Sequence, residues 1–421
     1  MPLPDKIYTY WNIKQQQLAG LCCLLMFTGF LFSRALLSIG MIAMVLNTLH
    51  PKQITHCWLR YRSSPFAFCC LVFFAAHLFS GLWSANVANW AAVLQIKLPF
   101  LFMPFALFSL SLEDIRIRNF VFYGILLILT IGMLYSLHPL LAEPGYLQSH
   151  LHLPSPVEGD YIRFTMALVC GLQLVLYELL YQKEKKPSGR TAVILALWSL
   201  LAVFYIHFQA AKSGLVCFYI LVAAFLMSYF GGKRLWIGIL ILAGVAGAGI
   251  ASLFYVPLLQ KQLRSIAYEK KIWEQNDTSK FANTSSFVPR LISYEVALGL
   301  IGQHPLTGFG AGDLKEQMDA AYIRQYPAIQ EPRRIIPHNQ FICTALALGI
   351  PLSLLSLVPM ALSPLKRKQP FPERANFLVM CTGLMIEPML ETQYGIFVYL
   401  FFTLLWMRVP QRQATEASTG G

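Results

Sequence analysis

The histidine at position 338 stands where it can act as a general base. His338 follows Pro337 and precedes Asn339, at the start of a long apolar segment. The unpaired amides at a helix start disfavour a positive charge, so this position favours a neutral imidazole, which can accept a proton from an alcohol. The alternative interpretation is a histidine at the membrane interface that is hydrogen-bonded to loop carbonyl groups.

Cationic residues interrupt the apolar stretches of the chain, where charge is costly and usually faces a cavity or a partner. They are Arg34, Lys97, Arg163 and Lys212. Few acidic residues can pair with them, and Glu387 and Glu391 are the nearest candidates. Such cations at one end of the predicted spans indicate an anionic ligand, and phosphate is the obvious one. The alternative is that Arg34 and Arg163 extend to lipid headgroups.

The other histidines and the cysteines indicate no metal or cofactor site. His138, His150 and His152 share a loop with Asp160, but their spacing matches no standard set of metal ligands. Eight of the nine cysteines lie in apolar stretches and Cys57 lies in a basic loop. No CxxC pattern and no disulfide framework is therefore indicated. We expect neither a metal nor a cofactor.

The composition is that of a membrane protein. The 421 residues include 56% hydrophobic and 13% charged residues, and the mean hydropathy is +0.55. A soluble protein carries about 25% charged residues. The net charge of +13 would suggest nucleic-acid binding in a soluble protein, but here the basic residues crowd the connections between apolar segments. No cleavage site follows the first apolar run, so we expect no removable signal peptide.

Apolar segments recur along the chain at nearly the length of a transmembrane helix, which needs about 20 residues. They lie near residues 17–33, 35–49, 63–83, 90–110, 119–138, 162–182, 191–208, 213–230, 235–255, 339–360, 375–391 and 393–409. The stretch between Tyr255 and Asn339 is too polar to span. We therefore expect an all-α polytopic membrane protein with about twelve transmembrane helices and one long loop.

The basic residues predict the orientation. Nineteen of the 33 lysines and arginines flank one set of alternate connections, and the opposite short connections hold almost none. By the positive-inside rule, both termini are cytoplasmic and the long loop is outside. The predicted parts are an N-terminal transmembrane bundle of about nine helices (1–255), the external helical loop (256–338), C-terminal transmembrane helices (339–410) and a cytoplasmic tail (411–421).

The long loop is predicted to form helices of its own. Ser285 and Ser286 can cap a helix whose early Pro289 suits the first turn. A second helix is expected at Asp313–Arg324. The residues that would share one face of the first helix are Leu291, Tyr294, Ala297, Leu298 and Ile301.

Four stretches between residues 190 and 395, taken in order, resemble the O-antigen ligase and polymerase superfamily. They are Phe208–Gly214 (FQAAKSG); Arg290 with Tyr294 and Glu295, followed by His304–Gly310 (HPLTGFG); Pro337–Phe341 (PHNQF), followed by Leu348–Pro351 (LGIP); and the acidic residues Glu387 and Glu391. Each stretch alone is a weak signal. Their order, together with the position of the long loop, makes the set fairly specific.

The resemblance implies a mostly helical fold like that of the GT-C glycosyltransferases. Such enzymes take a glycan from undecaprenyl pyrophosphate at the periplasmic face, without a metal or a nucleotide sugar. The family's histidine before asparagine falls on His338, its loop arginine on Arg290 and its helix-end arginine on Lys212. A lysine keeps the charge at that last position but lacks the planar fork that binds phosphate in a bidentate manner.

We therefore expect a ligase of the bacterial inner membrane. It would transfer O-antigen polysaccharide from undecaprenyl pyrophosphate to the lipid A–core oligosaccharide, and nucleic acid would not be a partner. His338 would activate the acceptor hydroxyl, while Arg290 and Lys212 would stabilise the leaving group. The residues expected to bind substrate are Arg163, Lys97, Arg34, Asn339 and Glu391.

Two other functions fit parts of this pattern. An O-antigen polymerase would differ from a ligase only in its acceptor, which would be another lipid-linked repeat unit. A transporter of lipid-linked glycans belongs to another class, in which inverted repeats and broken helices at the membrane midplane are common. The sequence has no such internal symmetry, and the candidate residues lie at one face.

The first prediction concerns orientation. A cysteine introduced as Ser286→Cys should react with a membrane-impermeant thiol reagent at the outer face of the inner membrane, because the basic residues place this loop outside. The measurement is labelling of cells whose inner membrane is intact. Labelling only after that membrane is disrupted would reverse the orientation and exclude a periplasmic site.

Overall fold

The computed structural model describes residues 5–143, 145–146, 150, 152–157, 160–182, 186–230, 234–275, 280, 287–331, 333–365 and 371–409. The predicted tail at 411–421 lies outside the described residues. In the part that is described, the chain forms helices and no β-strand. The all-α prediction is therefore confirmed.

The α-helices are numbered in chain order. The first nine are α1 (Asp5–Phe32), α2 (Arg34–Thr48), α3 (Pro51–Ser63), α4 (Pro65–Phe79), α5 (Val87–Lys97), α6 (Pro99–Leu107), α7 (Ile115–Leu137), α8 (Pro139–Ala142) and α9 (Tyr161–Leu176). They are followed by α10 (Gly189–Gln209), α11 (Lys212–Tyr229), α12 (Leu235–Tyr255), α13 (Pro257–Glu274), α14 (Val288–Gln303), α15 (Leu314–Gln325), α16 (Gln340–Leu348), α17 (Ile350–Leu362), α18 (Phe371–Ile386) and α19 (Gln393–Arg408). A single 3₁₀ turn, Met389–Glu391, separates the last two helices.

Eight segments of the described chain are long and apolar enough to cross a membrane. They are Lys14–Phe32, Pro65–Leu82, Val87–Leu107, Ile115–Ala142, Tyr161–Tyr181, Gly189–Gln209, Lys212–Tyr229 and Leu235–Tyr255. The other four predicted spans form shorter helices: α2 has 15 residues, α16 and α17 have 9 and 13, and α18 and α19 have 16 each. The count of twelve spans therefore stays a prediction.

The last helix lies at the centre of the main hydrophobic core. Every residue of α19 from Tyr394 to Trp406 is buried, and the ring of Phe401 lies 4.9 Å from that of Phe27 in α1. Sixteen residues of α-helix extend only about 24 Å, which is less than the apolar thickness of a bilayer, about 30 Å. Because α19 is surrounded by protein, the other helices shield it from lipid.

The residues that the sequence assigned to the cytoplasmic connections meet at one end of the bundle. Arg60 and Arg408 donate hydrogen bonds to the carbonyl oxygens of Phe108 (3.4 Å) and Leu110 (2.7 Å). Gln16, near the start of the first span, donates to the carbonyl oxygen of Ser109 at 2.8 Å. Both terminal regions therefore share one end of the molecule, as the predicted orientation requires.

The long loop forms helices α13 to α15, and a second hydrophobic core joins α14 and α15 to α16. The predicted apolar face of α14 is partly wrong, because Leu298 is 58% exposed while Val296 and Leu300 are buried. The predicted cap residues, Ser285 and Ser286, lie outside the described residues. The N-cap residue of α14 is Phe287, which makes no side-chain cap. Instead, the buried carboxylate of Glu269 in α13 accepts hydrogen bonds from the first amides of α14, as the positive end of a helix dipole favours.

The glycine-rich stretch after α14 packs against the break between α16 and α17. The amides of Phe309 and Gly310 donate to the carbonyl oxygens of Leu346 and Ala347 at 3.0 and 2.9 Å. Gly349, with φ +78°, forms this break, and a Cβ atom there would lie 2.2 Å from the carbonyl oxygen of Leu306. Two of the stretches that carry the family resemblance thus contact each other, and their glycines permit the close approach of the two backbones.

A second contact joins the connection between α14 and α15 to the bundle of long apolar helices. Asp313 is buried, and its two carboxylate oxygens accept hydrogen bonds from the amides of Ala85 (2.7 Å) and Asn86 (2.8 Å) in the connection before α5. Ser80 and Ser84 accept hydrogen bonds from the amides of Ala311 and Gly312 nearby, at 3.2 Å each. These bonds fix the glycine-rich stretch to the bundle.

We therefore expect Asp313→Ala to destabilise the protein. The substitution removes two charge-assisted hydrogen bonds and leaves two amides unpaired, which together should cost about 3 kcal/mol. The measurement is thermal unfolding of the purified protein in detergent. The matched control is Glu331→Ala, because the side chain of Glu331 is 68% exposed. Equal unfolding midpoints for the two variants would show that the Asp313 contacts do not hold α14 and α15 in place.

Candidate active site

The centre of the site is a carboxylate that accepts hydrogen bonds from three separate helical regions. Glu387 is fully buried in the connection between α18 and α19. Its Oε1 accepts from the Ser213 hydroxyl at the start of α11 and from Arg290 Nη2 in the first turn of α14, the latter at 3.1 Å. Its Oε2 lies 2.9 Å from Nδ1 of His338. Glu387 therefore joins the three motif regions that contain Lys212, Arg290 and His338.

Three consecutive residues that include the histidine are bonded to the segment 385–391. His338 binds Glu387, and the side-chain amide of Asn339 donates to the carbonyl oxygen of Met385 at 2.9 Å. Gln340 makes two bonds to the 3₁₀ turn: its Nε2 donates to Glu391 Oε1, and its Oε1 accepts from the Leu390 amide, both at 2.7 Å. Each of the three residues from His338 to Gln340 is therefore bonded to the segment 385–391, which holds the imidazole in place.

His338 itself precedes the helix rather than opening it. The N-cap residue of α16 is Asn339, whose side-chain oxygen accepts from the amides of Phe341 (2.9 Å) and Ile342 (3.2 Å). Asn339 thus satisfies two of the first amides of α16, and the His338 ring contacts a carboxylate, so the influence of the helix start on the imidazole stays a prediction. With Nδ1 bound to Glu387, Nε2 is the nitrogen that can accept a proton. The His338 side chain is 22% exposed.

Two neighbouring groups support this arrangement. The buried Glu387 carboxylate is bonded to His338, Arg290 and Ser213. Burial raises the pKa of Tyr294. Tyr294 is therefore a neutral donor, and its hydroxyl donates a hydrogen bond to the His338 carbonyl oxygen at 2.9 Å.

Two cations of the site remain partly accessible. The Arg290 side chain is 29% exposed, and Lys212 at the start of α11 is partly exposed as well. Their charges lie close enough to interact. The backbone just before Lys212 is unusual, since Ala210 is buried and has a φ of +57°. A left-handed alanine costs about 1–2 kcal/mol, so the surrounding structure must hold this turn and with it the direction of Lys212.

Two of the predicted substrate-binding cations are buried and paired. Arg163 donates to the carbonyl oxygen of Pro388 at 3.2 Å and lies 3.5 Å from Asp160. Lys97 donates to the carbonyl oxygen of Leu390 at 2.9 Å and lies 3.2 Å from Glu391. Glu391 was one of the two candidate partners named from the sequence, whereas Asp160 was not. The acids that pair with them come from the adjacent turn and from the N-cap of α9.

The remaining predicted cation borders the same segment. Arg34 is exposed at the start of α2, and its guanidinium lies 5.4 Å from the centre of the Tyr394 ring, a distance typical of a cation–π contact. The side-chain amide of Gln393, the first residue of α19, donates a hydrogen bond to the hydroxyl of Ser38 in α2 at 2.8 Å. Arg34 thus lies beside the start of α19, the helix that follows the 3₁₀ turn Met389–Glu391.

Three contributors to the site were not singled out in the sequence. Ser213 and Gln340 lie inside the quoted motifs, next to or near Lys212 and His338, so their position in the chain was the available signal. Asp160 was noted only as a neighbour of histidines. Among the described residues, no group of three or more His, Cys, Asp or Glu side chains is placed to hold a metal ion.

Comparison with known proteins shows a family similarity. A family model described as O-antigen ligase matches residues 190–357, a stretch that covers less than half of the chain and includes Lys212, Arg290 and His338. Glu387 and the buried cations lie outside it. No curated protein matches the chain significantly. The family match confirms the resemblance carried by the motifs: residues 190–357 are similar to the O-antigen ligase superfamily.

Proposed function

We propose that this protein is a metal-independent O-antigen ligase. It transfers O-antigen polysaccharide from undecaprenyl pyrophosphate to the lipid A–core oligosaccharide at the periplasmic face of the bacterial inner membrane. The observation that carries the proposal is the bound pair of His338 and Glu387, with the accessible cations Arg290 and Lys212 beside it. A base and a phosphate-binding group are the two elements that this transfer needs.

The reaction exchanges one carbon–oxygen bond for another. The oxygen of an acceptor hydroxyl attacks the anomeric carbon of the donor sugar and forms the new glycosidic bond. The bond from that carbon to the pyrophosphate oxygen breaks, and its electron pair leaves with undecaprenyl pyrophosphate. The hydroxyl proton passes to Nε2 of His338 and then to water. Glu387 holds the ring through Nδ1 and stabilises its positive charge, as the acid does in a catalytic triad.

The accessible cations act on the leaving group. Negative charge develops on the bridging oxygen as the bond to pyrophosphate breaks, and fixed cations in a site of low polarity stabilise it. Arg290 can present a planar guanidinium, since only its Nη2 is bonded to Glu387. Lys212 supplies a point charge next to Ser213.

The experiment that tests the function is the lipopolysaccharide profile of a deletion strain. A ligase predicts loss of the long-chain bands together with accumulation of the lipid-linked polymer. A core carrying a single repeat unit would identify a polymerase instead. An unchanged profile would exclude both functions.

The cations should determine how well the donor is used. Arg290→Ala and Lys212→Ala should each weaken donor use about tenfold or more, since a hydrogen bond to a charged group contributes about 1.5–3 kcal/mol. Lys212→Arg should keep or improve activity, because arginine adds the bidentate fork. The measurement is kcat/KM for the lipid-linked donor. Arg324→Ala in α15 is the control, since Arg324 is exposed. Normal rates in both alanine variants would leave these cations without a role in transfer.

The histidine should govern the chemical step. His338→Ala should lower kcat about 10²–10⁴-fold, the usual contribution of a general base, while the amount of folded protein and donor binding stay near normal. His338→Gln should be almost as inactive, because an amide cannot take up the proton. The control is His138→Ala, at an exposed histidine beyond the end of α7. An active His338→Gln enzyme would show that the histidine only positions the acceptor.

A further inference from the structure

Lys97 is too deeply buried to contact the donor directly, and its partner Glu391 is only 17% exposed. Lys97 is fully buried at the end of α5. Its ammonium lies 3.2 and 3.3 Å from the two carboxylate oxygens of Glu391, donates to the carbonyl oxygen of Leu390 at 2.9 Å and lies 5.7 Å from the centre of the Phe73 ring. Its charge and its hydrogen-bonding capacity are used within the protein.

The turn that carries these contacts has little regular structure of its own. Between α18 and α19, the Met389 amide donates to the Glu387 carbonyl oxygen at 2.9 Å, and the Glu391 amide donates to the Pro388 carbonyl oxygen at 3.2 Å. Pro388 has no amide hydrogen to contribute. Side chains from other helices must therefore determine where the turn lies, and with it the carboxylate of Glu387.

Three side chains from three helices do this. Lys97 of α5 holds the carbonyl oxygen of Leu390, and Arg163 of α9 holds that of Pro388. Gln340 of α16 binds both the Leu390 amide and the Glu391 carboxylate at 2.7 Å. Gln340 is also only two residues after the histidine of the active site, so it connects the helix that carries His338 to the turn that carries Glu387.

We propose that Lys97, Glu391 and Gln340 form a positioning device that sets the geometry of the His338–Glu387 pair. This inference rests on the proposed function and assigns Lys97 and Glu391 a role other than donor binding. The device acts through distance: the bonds of Gln340 fix the separation of the helix and the turn, and Lys97 fixes the Glu391 carboxylate on which Gln340 depends. A shift of about 1 Å in a reacting group can lower a rate about 100-fold.

The variants that test the device avoid an unpaired buried charge. Replacing Lys97 alone would leave the largely buried carboxylate of Glu391 without its charged partner, which is destabilising, whereas an apolar pair of similar volume is often tolerated. We therefore choose the double variant Lys97→Met/Glu391→Met and the single variant Gln340→Met. The matched control is Lys270→Met/Glu274→Met, an exposed pair in α13 whose side chains are 64% and 61% exposed.

The first measurement separates kcat from the donor KM of the purified enzyme. Both test variants should lower kcat about 100-fold with an unchanged donor KM, and the control should match the wild type. A raised donor KM with a normal kcat would show that the pair binds the donor and would overturn the proposal. Normal values of both constants would overturn it as well.

The second measurement does not depend on glycan transfer. Modification of His338 by diethyl pyrocarbonate, followed by mass spectrometry of its peptide, reports how firmly the imidazole is held. The test variants should react several-fold faster than the wild type, and Glu387→Gln gives the rate of the released ring. An unchanged rate would overturn the positioning role. If the wild type transfers no glycan but the variants react faster, the proposed function fails while the device stands.

Discussion

The site depends on the burial of one carboxylate. Removing Glu387 from water costs several kcal/mol unless donors from the protein replace the lost hydration. The donors come from Ser213, Arg290 and His338, which lie far apart in the chain and on three helical regions. Satisfying this single acid therefore forces the start of α11, the start of α14 and the residue before α16 to meet at one point.

The four cations Lys97, Arg163, Arg290 and Lys212 divide into two groups by burial. Lys97 and Arg163 are buried, and each binds a carbonyl oxygen of the turn between α18 and α19. Arg290 and Lys212 remain partly accessible beside His338. A buried charge that is bonded within the protein holds structure, whereas an accessible one can still exchange its contacts for those of a phosphate. Two of these four cations therefore serve the packing of the helices, and two remain available for a ligand.

The motif glycines and the loop helices α13 to α15 support the site around Glu387 indirectly. The stretch His304–Gly310 packs against the break at Gly349, and Asp313 fixes the end of this stretch to the connection before α5. Glu269 caps α14 and so places its first turn, which carries Arg290. The loop helices α13 to α15 thus position Arg290 and support α16, the helix that follows His338.

The sequence by itself determined the features that depend on short-range patterns. Apolar runs predicted the eight long apolar helices and the all-helical fold, and motif order led to the candidates Lys212, Arg290 and His338 and to the family similarity over residues 190–357. Only the tertiary structure decided that Glu269 caps α14, that Gly349 divides a predicted span, and that Glu387 and Glu391 pair with distant partners. The physical reason is range. Helix periodicity and apolar length act over one or a few turns, whereas Lys97 and Glu391 are 294 positions apart and meet only when the bundle packs.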